Sequence, residues 1–120
     1  LNNDESQYIS FDQKNSYLQI NIKNKYVSLY GYKINNSENC YRYIKNWALL
    51  GSIDQKNWTI LDEHRDDDSL NSKDSEIIFF PLHHQNLKFN SIKLLQTGNN
   101  NKSDNILAIR YFDLIGEIIT

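Results

Sequence analysis

The sequence predicts an all-β domain, an antiparallel sandwich of about eight short strands. Three observations predict it. Apolar and polar residues alternate in short runs, the period of a half-buried strand. Each run ends in a cluster of Asn, Asp, Gly or Ser, the residues that form turns. Helical periodicity is almost absent along the 120 residues. That length suits one domain with a real core and is short for two.

The elements follow in order. SYLQINI (16–22) puts Leu18, Ile20 and Ile22 on one face, and a Lys-Asn-Lys turn follows. YVSLYGYKI (26–34) alternates through Val27 and Leu29, then changes phase at Gly31 to Tyr32 and Ile34. A glycine with a phase change inside a strand reads as a β-bulge. NWALLGSIDQKNWTIL (46–61) holds both tryptophans. Trp47, Leu49 and Gly51 share a face, and after a polar turn Trp58 and Ile60 alternate again. Aromatics in phase with aliphatics read as core more readily than as a stacking platform. The expected core is therefore Trp47, Leu49, Trp58, Ile60, Ile92 and Leu94, mutually packed.

EIIFFPL (76–82) is short, β-rich and ended by Pro81. FNSIKLLQT (89–97) aligns Ile92, Leu94 and Gln96. A buried Gln must find hydrogen bonds, so Gln96 is expected to brace the neighbouring loop backbone. ILAIRYFDLIGEI (106–118) closes the chain with Leu107, Ile109, Phe112 and Leu114 as its apolar positions. Loops are expected at 35–46, 62–75, 83–88 and 98–105. Ala48, Leu50 and Leu95 are apolar at positions phased away from the core; clustered, they would mark a partner surface.

A net charge of -2 gives no bulk attraction to nucleic acid or to anionic membranes. No apolar run approaches the roughly 20 residues of a membrane span. The first residues do not read as a signal peptide. Starting at Leu1 rather than Met, the chain is expected to be a piece of a longer protein. One cysteine, Cys40, excludes an internal disulfide, and the expected setting is intracellular, cytoplasmic or cytoskeletal. Asn makes up about one residue in seven, a composition like that of proteins from AT-rich protist genomes. In such a chain the three sequons, at Asn35, Asn57 and Asn101, carry little weight.

Candidates for chemistry are few. Adjacent residues of an extended chain point to opposite sides, so His83-His84 makes a poor metal site, and His64 is expected in a different loop. Asp66, Asp67 and Asp68, with Asp74, lack the spaced ligands and glycine of a Ca²⁺ loop and read as a solvated charge run. Arg42 and Lys45 lie near Cys40 and could lower its thiol pKa, but no His is close in sequence to make it a nucleophile. The four glycines form neither a nucleophile elbow nor a phosphate cradle. No metal, cofactor or catalytic group is therefore expected.

WALLGSIDQKNWTIL resembles the hallmark hairpin of discoidin, or coagulation-factor type C, domains, where a Gly-Ser strand leads through an Asp turn to a Trp-Thr strand. LLQTGNNNKSDNILAIRYFDLIGEI resembles their Gln-Thr-Gly turn, Asn-rich loop and closing strand, and SYLQINIKNKYVSLYGYKI their solvent-facing hairpin. The similarity spans about residues 6–116. It implies a discoidin-like jelly roll with the galactose-binding-like fold, a single domain over 1–120 lacking the family's first strand and first ligand loop. Two departures stand out: Gln55 replaces the family's Gly after Asp54, and the cysteine pair of secreted members is missing. The pattern is most like members beside BTB and kelch modules in intracellular proteins of protists. It implies a non-catalytic binding module with a protein partner; the alternative is a lectin-like, carbohydrate-binding module with a glycan partner. By position, ligands would meet loops 12–15, 35–46 and 99–105. The candidate site residues are Lys14, Asn15, Tyr41, Arg42, Tyr43, Asn99, Asn100 and Arg110. Tyr and Arg are enriched at binding hot spots. Arg110 is read as either a loop-fixing residue or a ligand contact.

Overall fold

The computed structural model describes residues 8–36, 41–71, 76–79 and 88–119. Nine strands lie among them: β1 (Tyr8–Ile9), β2 (Tyr17–Asn21), β3 (Tyr26–Asn36), β4 (Trp47–Ser52), β5 (Thr59–His64), β6 (Glu76–Phe79), β7 (Lys88–Phe89), β8 (Ser91–Gln96) and β9 (Ala108–Ile119). One sheet runs β1-β9-β3-β6, with β7 also paired to β3; the other runs β2-β8-β4-β5. All pairings are antiparallel. The two sheets form the sandwich that the alternation predicts. Cys40, Asp74, Pro81, His83 and His84 lie outside the described residues.

The core forms where inward positions of both sheets meet. Val27, Leu29, Tyr32, Ile34, Ile109 and Phe112 come from the first sheet; Trp47, Leu49, Ile92 and Leu94 come from the second. The phase step in β3 is present, since its register with β9 shifts between Leu29 and Gly31. Gly51 is needed for packing of another kind, because a Cβ there would lie 2.8 Å from the Phe89 ring. The Lys-Asn-Lys turn is made by Asn24 at φ 61, a conformation Asn tolerates.

Two expected core residues are not in the core. The β4–β5 register shifts between Leu49 and Leu50, so that Leu49 faces Asp62 and Leu50 faces Ile60. Side chains alternate with a period of two, so one extra residue turns the remainder of a strand over. Ile60 is 61% exposed, and Leu61 packs on the core instead. Trp58 is only half-buried and lies under the Lys93 ammonium group. Lys93 sits between inward Ile92 and Leu94, which places Trp58 on the outer face.

Several expected loops are shorter than the sequence suggests. β3 continues through Asn36, β5 through His64, and β7 starts at Lys88. His64 is therefore a strand residue, not a loop residue. Strand register puts the segments 10–16, 41–46, 65–71 and 97–107 at one end of the sandwich, because Tyr17 pairs with Leu95, Trp47 with Gln96 and His64, and Ile109 with both Tyr8 and Asn36.

Candidate functional site

The four segments at this end are tied together by hydrogen bonds between side chains and backbone. Ser10 N–H donates to Leu107 O (2.9 Å), and Leu107 N–H donates back to Ser10 Oγ (2.8 Å). Asn105 N–H donates to Asp12 Oδ1 at 2.8 Å. Tyr43 N–H donates to Asn101 Oδ1 (2.6 Å), and Asn101 Nδ2 donates to Tyr41 O (3.1 Å). Asn46 works in two directions: its Nδ2 donates to Asn99 O (2.9 Å) and its Oδ1 accepts from Asp66 N–H (2.9 Å). A Cβ on Gly98 would lie 3.1 Å from Asn46, so the 97–99 turn packs against that side chain with no room to spare.

The Asn-rich loop has its own internal frame. Asn100 is buried; its Nδ2 donates to Asp104 Oδ1 (2.6 Å) and to Ile106 O (2.9 Å), while its Oδ1 accepts from Lys102 N–H (2.9 Å). Arg42 Nε donates to Asp104 Oδ2 at 2.7 Å. Burial opposes the charge on Asp104, but hydrogen bonds from Arg42, Asn100 and the Ile106 N–H outweigh it and hold the carboxyl below its ordinary value. Gln96 braces the loop as expected, with Nε2 donating to Asn105 O at 3.0 Å. Its Oε1 is buried without a hydrogen-bond partner among the described residues.

The predicted site residues thus divide by the work they do. Lys14, Asn15 and Asn99 are exposed at the loop end. Tyr41 is 60% exposed in the 41–46 segment of the same end, while Tyr43 is half-buried. Arg42 and Asn100 are bound to Asp104, so they are occupied in holding the loop. Arg110 is half-buried at the start of β9 and is engaged with its neighbours.

Two adjoining grooves open at this end. One, of about 350 Å³, is lined by Lys14, Asn15, Gln96, Thr97, Gly98, Asn99 and Asn105. The other, of about 460 Å³, runs along residues 8–11 and 13–17 and shares Lys14 and Asn15 with the first. Asn15 has φ 62, which favours the small polar residue found there. The second groove carries Phe11, which is 88% exposed. Sequence reasoning missed Phe11 because it lies outside any alternating run. A Phe between Ser10 and Asp12 in a polar loop was the available signal. An apolar ring beside amides and an ammonium group suits a small ligand with both C–H faces and hydroxyl groups.

Deeper at this end is a second polar cluster that the sequence did not show. His64 stacks on Trp47 with centroids 4.3 Å apart. Its ring nitrogens contact Asp62 Oδ2 (2.8 Å) and Asp67 Oδ2 (2.6 Å). Tyr32 donates its O–H to Asp62 at 2.6 Å and accepts from Trp47 Nε1–H at 2.9 Å. Burial, and then the bond to Asp62, push the Tyr32 phenol well above its ordinary value. The acidic run 66–68 is not wholly solvated: Asp67 faces His64 and Ser69, and Asp66 approaches Lys45 at 3.9 Å. Among the described residues no group of His, Cys, Asp or Glu has the geometry to hold a metal ion.

No protein-family model and no curated protein matches the chain. Solved structures match its architecture. A CBM32 module from Clostridium perfringens, solved in complex with GalNAc-β-1,3-galactose, is 12% identical with a TM-score of 0.71; the match covers 92% of this chain and 76% of that one. Another CBM32 module, from a family 31 glycoside hydrolase of the same organism, is 13% identical with a TM-score of 0.72 over 94% of this chain and 76% of that one. A pectin-binding carbohydrate-binding module is 17% identical with a TM-score of 0.63 over 91% of this chain and 70% of that one. At these identities the likeness is one of fold. The chain has the galactose-binding-like β-sandwich fold, the fold that the resemblance to discoidin domains implied.

Proposed function

We propose that this chain is a non-catalytic carbohydrate-binding module whose ligand sits at the loop end. The observation that carries the reading is the exposed Phe11 ring in a groove shared with Lys14 and Asn15 and continuous with Asn99. A sugar presents a C–H face that an aromatic ring can cover and hydroxyls that amides can bind. Tyr41, at the same end, supplies a further aromatic surface. The similar folds support a glycan over the protein partner first expected, since those modules are carbohydrate binders and one was solved with a galactose-containing disaccharide. The narrower link to discoidin domains beside BTB and kelch modules rests on the sequence motifs alone. The lone Cys40 supports a working place inside the cell. So does the engagement of two sequon amides in the fold, Asn57 Nδ2 with Asp54 and Asn101 Nδ2 with Tyr41 O. Finding N-glycans on Asn57 or Asn101 of the native protein would overturn that placement.

The test is isothermal titration with GalNAc-β-1,3-galactose and with galactose, backed by a glycan array. Binding of a neutral glycan should weaken about tenfold or more in Phe11→Ala and in Asn15→Ala, a loss of roughly 1.4 kcal/mol. Thermal unfolding should be unchanged in Phe11→Ala, whose ring is exposed, and only slightly lowered in Asn15→Ala, because φ 62 suits Ala less well than Asn. If no glycan on the array binds and a lysate protein is captured through Tyr41 instead, the protein-partner reading replaces this one.

A further inference from the structure

The outer face of the β2-β8-β4-β5 sheet carries features that the loop-end reading does not use. Register sets Tyr17 opposite Leu95 and Leu95 opposite Ala48. The next row sets Gln19 opposite Lys93, Lys93 opposite Leu50, and Leu50 opposite Ile60. Leu50 and Leu95, both half-buried, therefore meet over the buried Ala48 as one patch, bordered by Tyr17, 49% exposed, and by Ile60.

Lys93 stands at the centre of this face. Its Nζ lies 4.5 Å from the Tyr17 ring centroid and 4.3 Å from that of Trp58. The ring quadrupoles hold the ammonium in place without neutralising it. Among the described residues Lys93 has no carboxylate partner. The acid on the neighbouring row, Glu63 opposite Ala48, is bound to Arg65 at 2.5 Å. Amides border the rings: Gln19 Nε2 donates to Asn21 Oδ1 (2.9 Å) and to Gln55 Oε1 (3.3 Å). In a chain of net charge -2, this face thus offers a cation between two aromatic rings with no carboxylate partner among the described residues.

We propose that this face is a second binding site, selective for an acidic glycan. A uronate-type sugar sets its C–H face against Tyr17 or Trp58 and its carboxylate on the Lys93 ammonium, with its hydroxyls toward Gln19, Asn21 and Gln55. A neutral sugar chain lacks the charge. An acidic peptide supplies the charge but not the stacking face. The site adjoins the loop-end groove at Tyr17, whereas Lys93 and Trp58 line neither groove of that end, so its charge recognition does not depend on it.

The test is titration of the whole chain with tetragalacturonate, a neutral galactotetraose and hexaglutamate, followed by calorimetry and by NMR shifts of the tryptophan indoles. Tetragalacturonate should bind about tenfold more tightly than either of the other two at this face, and added salt should weaken it. Lys93→Gln and Trp58→Ala should each weaken it about tenfold. Lys93→Gln should keep its thermal unfolding and any loop-end affinity for neutral sugar, which separates this site from the other. The proposal is overturned by absent tetragalacturonate binding, by undiminished binding in Lys93→Gln, or by hexaglutamate binding as tightly, which would make the face a reader of charge alone.

Discussion

Trp47 and Trp58 lie eleven residues apart in one hairpin and have opposite fates. Trp47 is fully buried, stacked on His64, set edge-on to Phe79 at 5.6 Å, and bonded through its indole N–H to Tyr32. Trp58 lies on the outer face with Lys93 over its ring. The cause is the register shift between Leu49 and Leu50, which turns β5 over between its first residues and its last. A period-two reading carried across a hairpin holds only as far as the register does. The same shift brings Asp62 and His64 beside Trp47, so the edge of the core is closed by a polar cluster.

The sharpest way to break this comparison is to remove each indole. Trp47→Ala should cost about 3–5 kcal/mol in denaturant unfolding, as large-to-small aromatic core changes do. Trp58→Ala should cost about 1 kcal/mol or less, as for substitutions outside the core. Equal losses would mean that both rings are core. A smaller effect probes what holds Trp47. Tyr32→Phe keeps the ring but leaves the indole N–H and Asp62 without their shared partner, and should cost about 1–3 kcal/mol. A loss near zero would show that the hydroxyl is dispensable.

The smallest expected effect is the dependence on pH. Burial works against the charge on Asp67, but bonds from Ser69 and His64 outweigh it and hold the carboxyl below its ordinary value. A carboxyl depressed in the folded state stabilises fully above its unfolded pKa, about 4, and that contribution is lost as pH falls through the folded value. Unfolding free energy should therefore decline below about pH 4, and Asp67→Asn should flatten the decline. Tryptophan fluorescence followed from pH 6 to pH 2 checks it, and an unchanged slope in the variant would remove Asp67 from the account.

Where the backbone pattern was regular, the fold was legible. The glycine in YVSLYGYKI announced its phase step, and Gln96 on an inward phase announced a brace. The β4–β5 shift was not legible, because no glycine marks it: the extra residue, Leu61, is itself a good strand residue. His64 was hidden by its polar neighbours, since a run of charges reads as loop unless a partner strand is known. Within the site, grouping the three loops came from the resemblance. Residue type could not separate Lys14 and Asn15, which face the grooves, from Asn100 and Arg42, which hold the scaffold. That division depends on Asp104, sixty-two residues from Arg42 in sequence.

The Gln55 position shows how a departure can be absorbed. It adopts φ 60, the conformation a glycine would take there without strain. Asp54 supports it by accepting from Asn57 N–H and Lys56 N–H, each at 2.8 Å, and its own pKa is lowered by those two bonds first.

The amide ties among Asn46, Asn100 and Asn101 bear on how the loop end would meet a ligand. Freezing loops and side chains on association carries an entropy cost, and a pre-organised surface has less of it left to meet. Loops already fastened to one another give weak individual contacts a better chance of yielding measurable affinity. The fasteners also lie behind the surface, whereas Phe11, Lys14 and Asn99 stand in front of it. Preference for one ligand over another can then change at the front residues while the frame behind them stays as it is.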